Sequence, residues 1–340
     1  RQAKMREDGR YLGIGFASWA KTGGVGPSPL DPGSNRYEWG RVKVDRHGAV
    51  TVYTGSSPHG QGGETAFAQI VGDVLHSPVE NIEVLHGDTA VVEYGMGTYA
   101  SRGLVVGGTA AYNAAQKVLS KMKRLAAHTM EIAPDDVVFE NGSFNPRGRS
   151  EPTVSFADAA QAAYMVLARP ESEEYGLDES SFYQPTGLTY NSGTYIAVVE
   201  VDGDTGDVDL QTLYCVDDQG TIVNPMIVEG QIHGGAAQGI GPALYEHVVY
   251  DENQQLLSGS LMDYALPTAE SMPDFVTEQI ETPSPLNPLG VKGMGEGPTT
   301  GAPPAVVNAV VDALQPLGVR HIEMPLTPEK VWRAIGTAKK

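Results

Sequence analysis

Cysteine, positive charge and long apolar runs are all scarce in this sequence. Cys215 is the only cysteine among 340 residues, so the chain cannot form an internal disulfide, a cysteine-rich zinc site or an iron–sulfur cluster of its own. Lys and Arg total 23 against 42 for Asp and Glu, and the net charge of -19 argues against nucleic acid or an anionic membrane as a partner. No run is apolar enough to span a bilayer and the first residues lack a signal-peptide core, so we expect a cytoplasmic protein without a membrane span.

Glycine, by contrast, is abundant, and much of it lies in loops that precede apolar stripes at helical spacing. There are 41 glycines, and four stretches with glycine each introduce a helix, at residues 55–63, 95–103, 219–225 and 290–297, where the helix after the third stretch is itself rich in glycine. Glycine lets the backbone approach a ligand closely, and the amide groups at a helix start attract anions. Four such loops predict a long polyanionic ligand, such as an extended pyrophosphate cofactor. No histidine falls in a metal-binding pattern, so we expect a metal only if its own organic ligand carries it.

The last of these loops, GVKGMGE at residues 290–296, holds one lysine and one glutamate. An apolar stripe from Val306 to Leu314 follows, so the loop opens a helix. A carboxylate in such a loop lies within reach of whatever the loop binds, and burial can tune it for general-base work. The alternative is that Glu296 is only a first-turn acid favoured by the helix dipole.

Polar residues in the other loops each allow a second, purely structural interpretation. Gln61 can donate and accept hydrogen bonds in an anion-binding cradle, or the stretch can be a tight turn with Thr65 as the helix cap. Arg102 can hold a phosphate with two hydrogen bonds, although a surface salt bridge is a commoner role for an arginine. Gln231 can contact a ligand or satisfy a neighbouring backbone group. For His233, packing within a helix is the interpretation that we favour.

Strand and helix patterns are interspersed along the whole chain, which predicts a mixed α/β fold. Alternating apolar residues predict strands at residues 12–20, 42–54, 195–201 and 208–216. Helical spacing predicts a helix at residues 156–167, and the segments 249–257 and 259–264 are interpreted as strands. The polar stretch 140–191 is interpreted as an excursion between two halves, so we expect subdomains at residues 1–190 and 191–340.

Five ordered segments carry a family resemblance: PHGQG at 58–62, YASRG at 99–103, IVNP with VEGQIHGG within 222–235, MDYALP at 262–267 and GVKGMGE at 290–296. Together they resemble the molybdopterin-binding subunit of the xanthine dehydrogenase and aldehyde oxidase family. Within this family, the residues of these segments are most similar to the large subunits typified by aerobic carbon monoxide dehydrogenase and bacterial N-heterocycle hydroxylases. The resemblance covers only the second half of the usual large subunit.

This resemblance implies an α+β fold in which residues 1–340 form the C-terminal molybdopterin-binding domain, with two similar α/β subdomains and glycine-rich loops at helix starts. It implies that Glu296 is the catalytic base at the molybdenum centre. It assigns no metal ligand to the chain itself. Cofactor contacts are implied for residues of the matching loops, namely Gly60, Gln61, Gly62, Ala100, Ser101, Arg102, Gly103, Gln231, Lys292, Gly293, Met294 and Gly295.

The same resemblance implies a chain that works only within a multisubunit hydroxylase. Such an enzyme inserts oxygen derived from water into a C–H bond of a small aldehyde or N-heterocycle. Its cofactor is molybdopterin with molybdenum, expected here as the cytosine dinucleotide, and its electrons pass to a 2Fe-2S subunit and an FAD subunit. Because Cys215 is alone, the clusters must lie on partner chains, and we expect a dimer of such heteromers.

The sequence departs from the family pattern by what it lacks. The upstream half of the large subunit is absent, and so is the cysteine that marks a copper-containing carbon monoxide enzyme. A split large subunit of the nicotinate dehydrogenase type, with a separate N-terminal molybdopterin chain as partner, and a truncated large subunit both remain open. Two other functions also remain open, namely a carbon monoxide dehydrogenase component and a non-catalytic scaffold that binds the cofactor.

Overall fold

The computed structural model describes residues 1–24, 36–149, 151, 153–166 and 168–338, and the chain divides into two compact units. We call Gly23–Thr189 with Pro283–Gly293 unit A, and Arg1–Thr22 with Tyr190–Thr282 and Met294–Lys340 unit B. The expected subdomains 1–190 and 191–340 share the division near residue 190. They differ from the units because the first 22 residues belong to unit B and residues 283–293 belong to unit A.

Helices and strands alternate in the mixed arrangement that the sequence predicts. In chain order the main elements are α1 (Gln2–Glu7), β1 (Arg10–Gly23), β2 (Glu38–Val44), β3 (Val50–Thr54), α2 (Gly63–Leu75), β4 (Ile82–Leu85), α3 (Thr109–Met130), β5 (Val137–Glu140), β6 (Ser143–Pro146), β7 (Val154–Ser155), α4 (Phe156–Ala162), β8 (Leu177–Tyr183), β9 (Thr189–Asp202), β10 (Val208–Asp218), α5 (Pro225–Ile240), β11 (Asp274–Ile280), α6 (Gly297–Leu314) and α7 (Pro328–Ala338). The α+β fold class is therefore confirmed.

Unit A is organised around a sheet with the strand order β4-β3-β2-β8 and a smaller sheet with the order β5-β6-β7. The predicted hairpin of β2 and β3 is confirmed as an antiparallel pair, and β4 returns parallel to β3 after α2. The small residues of α3 let this helix lie directly on β2. A Cβ atom on Gly40 would stand 2.7 Å from the backbone nitrogen of Ala111, so glycine is required for this close approach. The buried core of unit A lies between these strands and helices α2 and α3.

Unit B is organised around a sheet with the strand order β1-β9-β10-β11. The predicted hairpin of β9 and β10 is confirmed as an antiparallel pair, and β11 runs parallel to β10. One face of the sheet packs on α5 and α6. Strand β1 reaches α6 so closely that a Cβ atom on Gly13 or Gly15 would stand 2.0 Å from backbone atoms of Ala309.

The helix predicted at residues 156–167 is shorter than expected. Helix α4 ends at Ala162, and the amides of Tyr164 and Met165 bond three residues back as in a turn. The Tyr164 hydroxyl donates to the carbonyl of Val44 at 2.6 Å, which anchors the chain to β2 as it leaves the helix. Leu167 lies outside the described residues.

The strands predicted at residues 249–257 and 259–264 are wrong. The first segment makes only an isolated bridge between Tyr250 and Leu256. The Asp251 carboxylate accepts from the backbone amides of Asn253 and Gln255, both at 2.8 Å, and so turns the chain locally instead of extending it. Strand β11 was not predicted, because its sequence DFVTEQI lacks a clear apolar alternation.

None of the helices in the described residues combines the length and apolar character needed to cross a membrane.

Candidate functional site

The loop before α2 presents open backbone in unit A. Gly62 is the N-cap of α2 with a φ of 76°, so the alternative in which Thr65 caps this helix is wrong. Gly60 has a φ of +103°, and a Cβ atom there would meet nothing within 4 Å among the described residues. The Gln61 side chain folds back, and its Oε1 accepts from the His59 amide at 2.7 Å.

The loop at residues 95–103 is hydrogen-bonded to this first loop. The Gly97 amide donates to the carbonyl of Gly55 at 3.1 Å, and the Thr98 hydroxyl donates to the carbonyl of Ser56. Gly55 and Gly95 touch so closely that a Cβ on either would clash with the other. Two of the predicted loops therefore form one structure.

Ala100 and Ser101 are consecutive non-glycine residues in the left-handed region, with φ values of 47° and 53°. Such a conformation costs on the order of 1 kcal/mol or more per residue and persists where the surroundings impose it, often at functional sites. The Ser101 carbonyl accepts from the Gly24 amide at 3.3 Å. Gly103 follows and begins a π-helical turn, Gly103–Gly108, that continues into α3.

Arg102 is buried and fixes this loop from within. Its Nη1 donates to Glu38 Oε2 at 2.7 Å and to the carbonyl of Gly97 at 2.8 Å, and its Nη2 donates to the carbonyl of Tyr37 at 2.9 Å. Both charged side chains are fully buried, and the guanidinium lies over the Tyr99 ring. Arg102 therefore forms a buried salt bridge. The alternative of a surface salt bridge is wrong.

Lys292 and Gly293 bring a third segment to the same place in unit A. Gly293 has a φ of +89°, and a Cβ atom there would stand 2.2 Å from the Ser101 carbonyl oxygen. The Lys292 carbonyl accepts from the Thr189 hydroxyl at 2.8 Å. Unit A thus gathers the predicted residues of three loops, which are Gly60, Gln61, Gly62, Ala100, Ser101, Arg102, Gly103, Lys292 and Gly293.

The remaining predicted residues belong to unit B, where Glu296 is the N-cap of α6. Its Oε2 lies 2.5 Å from Lys21 Nζ. The carboxylate is half-exposed and the lysine is mostly buried. The helix predicted after the loop is confirmed, and it places an ion pair at its start. Lys21 was missed by the sequence analysis, because nothing in the sequence connects β1 with a loop so distant along the chain.

Gln231, on α5, faces the loop at residues 290–296 that carries Glu296. Its Oε1 lies 3.5 Å from the position that a Cβ atom would take on Gly295, and nothing else among the described residues comes within 4 Å of that position. Met294 points the other way and is part of the buried core of unit B. Three consecutive residues of the loop therefore have different surroundings: Met294 is packed inside, Gly295 is exposed, and Glu296 is paired and half-exposed.

Trp19 supports the start of α6, directly after Glu296. Cβ atoms on Gly297 and Gly301 would stand 2.4 and 2.5 Å from the Trp19 ring, so the first turn of α6 rests directly on the indole. Trp19 also packs edge-on against Tyr195. This anchor was also missed, because a tryptophan in an apolar strand gives no sign of its partner.

Unit B buries several polar groups that find no partner among the described residues. The side-chain amides of Asn191 and Gln219 are unpaired at both atoms, and the Nε2 of His233 is unpaired as well. The His233 ring stacks on Phe275 at 4.8 Å, as the helix-packing interpretation expects. Buried polar groups are rarely left unsatisfied, so each one calls for a ligand or water.

Asp217, on strand β10, is a further buried polar residue of unit B. The Tyr195 hydroxyl donates to its two oxygens at 3.2 and 3.1 Å. Burial raises the pKa of Asp217 to about 7. Burial, together with the nearby Asp217, also raises the pKa of Cys215 to about 12, so the only thiol of the chain stays protonated and unreactive near neutral pH.

Among the described residues, no three His, Cys, Asp or Glu side chains group together in a way that could hold a metal ion.

A family model described as a molybdopterin cofactor-binding domain matches residues 1–273. The chain is 38% identical to the carbon monoxide dehydrogenase large chain of Hydrogenophaga pseudoflava over 98% of this chain and 42% of that protein. It is 39% identical to the nicotine 6-hydroxylase large subunit of Paenarthrobacter nicotinovorans over 98% of this chain and 41% of that protein.

Among solved structures, quinoline 2-oxidoreductase from Pseudomonas putida 86 matches with a TM-score of 0.93 and 41% identity, over 99% of this chain and 43% of that one. The chain therefore spans about two fifths of the length of the relatives that it matches.

Proposed function

The chain belongs to the molybdopterin cofactor-binding domain family, and we propose that it is the molybdenum-cofactor-binding chain of a multisubunit hydroxylase. The reaction inserts an oxygen atom from water into a C–H bond of an aldehyde or an N-heterocycle. Similarity to a nicotine hydroxylase and a quinoline oxidoreductase supports the heterocycle. The first half of the large subunit, a 2Fe-2S chain and an FAD chain complete the cytoplasmic assembly, which we infer to be a dimer of heteromers.

The residues present fit an extended cofactor of the molybdopterin type. In unit A, Cβ positions on Gly60 and Gly97 are open among the described residues, so a phosphate or a pterin can come close to the backbone at both glycines. In unit B, Gly235 presses against Pro298 of α6, whereas Cβ atoms on Gly230 and Gly234 of the same helix α5 would meet nothing within 4 Å in the described part of the chain. The side-chain amides of Asn191 and Gln219, which lack partners among the described residues, can each donate and accept hydrogen bonds. They would suit the polar groups of a cytosine dinucleotide form of the cofactor.

The loops of unit A bind through their backbone, and Arg102 maintains their shape. Its guanidinium is committed to Glu38 and to two carbonyls, so it holds Ala100, Ser101 and Gly103 in place instead of clamping a phosphate directly. Gly293 packs against Ser101, and the carbonyl of Lys292 is held by the Thr189 hydroxyl, which completes the group of loops in unit A. Gln61 is oriented by its bond to His59 and presents its amide nitrogen as a donor.

The observation that carries the proposal is the ion pair of Glu296 at the N-cap of α6. When bound, such a cofactor would supply a two-electron redox centre and acidify a water-derived hydroxyl. The role that we assign to Glu296 is that of the general base, which holds a proton at its carboxylate. Lys21 directs the carboxylate through its Oε2, and Gln231 faces the adjacent Gly295, where its amide orients the substrate or the cofactor.

The decisive experiment is Glu296→Gln in the assembled enzyme. Loss of a general base lowers kcat by about 100-fold to 10,000-fold, while molybdenum and pterin content stay at the wild-type level because the amide keeps the shape of the side chain. Glu329→Gln is the matched control, since Glu329 pairs with Arg333 at the exposed start of α7, and its activity should equal that of the wild type.

Two outcomes would overturn the proposal. Full turnover in Glu296→Gln would favour a scaffold chain that binds the cofactor without catalysis. An active purified complex without molybdenum would exclude the cofactor itself. Oxidation of carbon monoxide in place of aldehydes and heterocycles would identify a carbon monoxide dehydrogenase component, the alternative supported by similarity to such a large chain.

A further inference from the structure

The outer face of the unit B sheet carries an apolar row that crosses all four strands. On β9, β10 and β11 the register aligns Ile196 with Tyr214 and Tyr214 with Val276. The hydroxyls of Ser18 and Thr194 lie 2.8 Å apart, and the amide of Gly203 donates to the carbonyl of Gly9. This antiparallel alignment places Phe16 of β1 opposite Ile196. We call Phe16, Ile196, Tyr214 and Val276 the outer row.

Each member of the outer row is exposed. Phe16, Ile196, Tyr214 and Val276 expose 66%, 39%, 42% and 48% of their surface. The neighbouring residues in each strand face inward, where Tyr195, Ala197, Leu213 and Cys215 are fully buried against α5 and α6. A sheet with one face in water normally alternates apolar inside and polar outside. This sheet is apolar on both faces along the outer row.

The residues that flank the outer row are mostly polar or acidic, with one valine on each side. On one side the register places Thr194, Val216 and Glu278 together, and on the other side it places Val198, Thr212 and Asp274 together. An apolar centre with a polar rim is the usual composition of a protein–protein interface. Contiguous exposed apolar residues with such a rim mark an interaction site more often than a free surface.

We propose that the outer row is the docking surface for the first half of the family's large subunit. The chain spans only 42% of the carbon monoxide dehydrogenase large chain that it matches, so most of that subunit lies outside the matched region and must pack against something. A sheet face with an apolar centre suits a partner that stays bound permanently, because obligate interfaces are the more hydrophobic ones.

Charge argues against a second copy of this chain on the same face. Two copies packed face to face would bring Glu278 and Asp274 of both copies into one interface, and the chain already carries a net charge of -19. Like charges brought together in this way oppose association. The partner surface should therefore present apolar side chains with Lys or Arg around them. This inference rests on the proposed function only for the identity of the partner.

Single cysteines offer a test that does not disturb the fold. The native Cys215 is fully buried, so a cysteine placed on the outer row is the only thiol of the chain open to a maleimide. We would make Val276→Cys and, independently, Ile196→Cys. The control is Val79→Cys, whose parent valine in unit A is 43% exposed. Labelling rates, resolved by peptide mapping, are compared between the 340-residue chain and the complete large subunit.

In the complete large subunit we expect labelling of Val276→Cys and Ile196→Cys to slow by about tenfold or more, because an interface core excludes solvent. The control should label equally in both samples. Absence of Cys215 labelling in each sample verifies that unit B is folded, and a variant that fails this check is replaced by the other.

Three results would overturn the inference: equal labelling of the outer row in both samples, protection in the isolated chain that grows with its concentration, or protection that appears only when the 2Fe-2S or FAD chain is added. The labelling does not depend on turnover. An inactive Glu296→Gln enzyme with a protected row would support both proposals, whereas an unprotected row in an enzyme that needs Glu296 would overturn this inference alone.

Discussion

The two units each bury one carboxylate near their candidate site residues, and they treat it in opposite ways. In unit A, Glu38 is fully buried and bonds to the equally buried guanidinium of Arg102. In unit B, Asp217 is buried and accepts hydrogen bonds from the Tyr195 hydroxyl, and its pKa is raised by burial. Unit A therefore keeps a charge pair to shape a loop, whereas unit B favours the neutral form of its acid at slightly acidic pH.

Glu296 differs from both of these acids because it is half-exposed and pairs with Lys21 at the start of a helix. A buried charge pair is committed to the fold, since separating it leaves one charge without a partner in the interior. A partly exposed pair can exchange its partner for a substrate or a proton at little cost. This difference in burial is what separates a structural acid from a candidate catalytic one.

The largest effect is expected from breaking the pair in unit A. Arg102→Met leaves Glu38 buried without its cation and should lower the free energy of unfolding of unit A by about 3–5 kcal/mol. Urea titration followed by hydrogen exchange in peptides of β2 and α3 measures the change. Arg124→Met is the control, because the pair of Arg124 with Glu173 is partly exposed and its loss should cost about 1 kcal/mol or less. A change of similar size in both variants would contradict the distinction between the pairs.

A smaller effect is expected from Asp217→Asn, and its sign depends on pH. The folded pKa of about 7 lies above the ordinary value of 3.8, so the folded state holds a proton that the unfolded state releases between these values. Stability is therefore full below about pH 4 and falls as pH rises towards 7.

Between about pH 5 and pH 8 the wild type should lose about 2 kcal/mol of unfolding free energy from this group. The side-chain amide in the Asp217→Asn variant cannot ionise, so that loss should disappear while the bond from Tyr195 is kept. Urea titrations followed by tryptophan fluorescence at both pH values would measure the free energy of unfolding of the wild type and of the variant. An identical pH dependence in the two proteins would show that Asp217 is not the group responsible.

The smallest effect is expected from Lys21→Met. Without the ammonium group the Glu296 carboxylate loses its fixed direction, and kcat should fall by about tenfold, which is about 1.4 kcal/mol, with little change in KM. Lys21→Arg should restore most of the activity because it restores the ion pair, which a purely structural role of the lysine stem would not require. Lys330→Met on α7 serves as the control. Wild-type kcat in Lys21→Met would remove the lysine from the site.

Local patterns in the sequence were sufficient to predict the elements that carry the site. Apolar spacing and glycine placement predicted the hairpins of β2 with β3 and of β9 with β10, and they predicted that helices begin after the loops at residues 55–63 and 290–297. These features are determined by neighbours along the chain, because turns and helix starts depend on a few adjacent residues. The motif order in these loops also carried the family assignment.

Contacts between distant segments could not be predicted in the same way. Nothing local shows that Lys21 meets Glu296, that Trp19 supports the first turn of α6, or that Arg102 turns inward to Glu38. The predicted strand at residues 249–257 is wrong for a different, local reason. The Asp251 carboxylate accepts from two backbone amides, and the resulting turn prevents the extended conformation that the apolar residues indicate. β11 escaped prediction because its pairing with β10, rather than its own composition, makes it a strand.

The contact between β1 and α6 has a consequence for how the chain is made. The Ile14 amide donates to Asp312 across 298 residues of sequence, and Gly13 and Gly15 receive the same helix. Residues 23–189 of unit A are contiguous and can begin to fold while the chain is still on the ribosome. In unit B, β1 (Arg10–Gly23) cannot pack on α6 (Gly297–Leu314) until that helix has been synthesised. Contacts of such long range slow folding, so unit B should be the later unit to form and the one more dependent on chaperones before the cofactor is inserted.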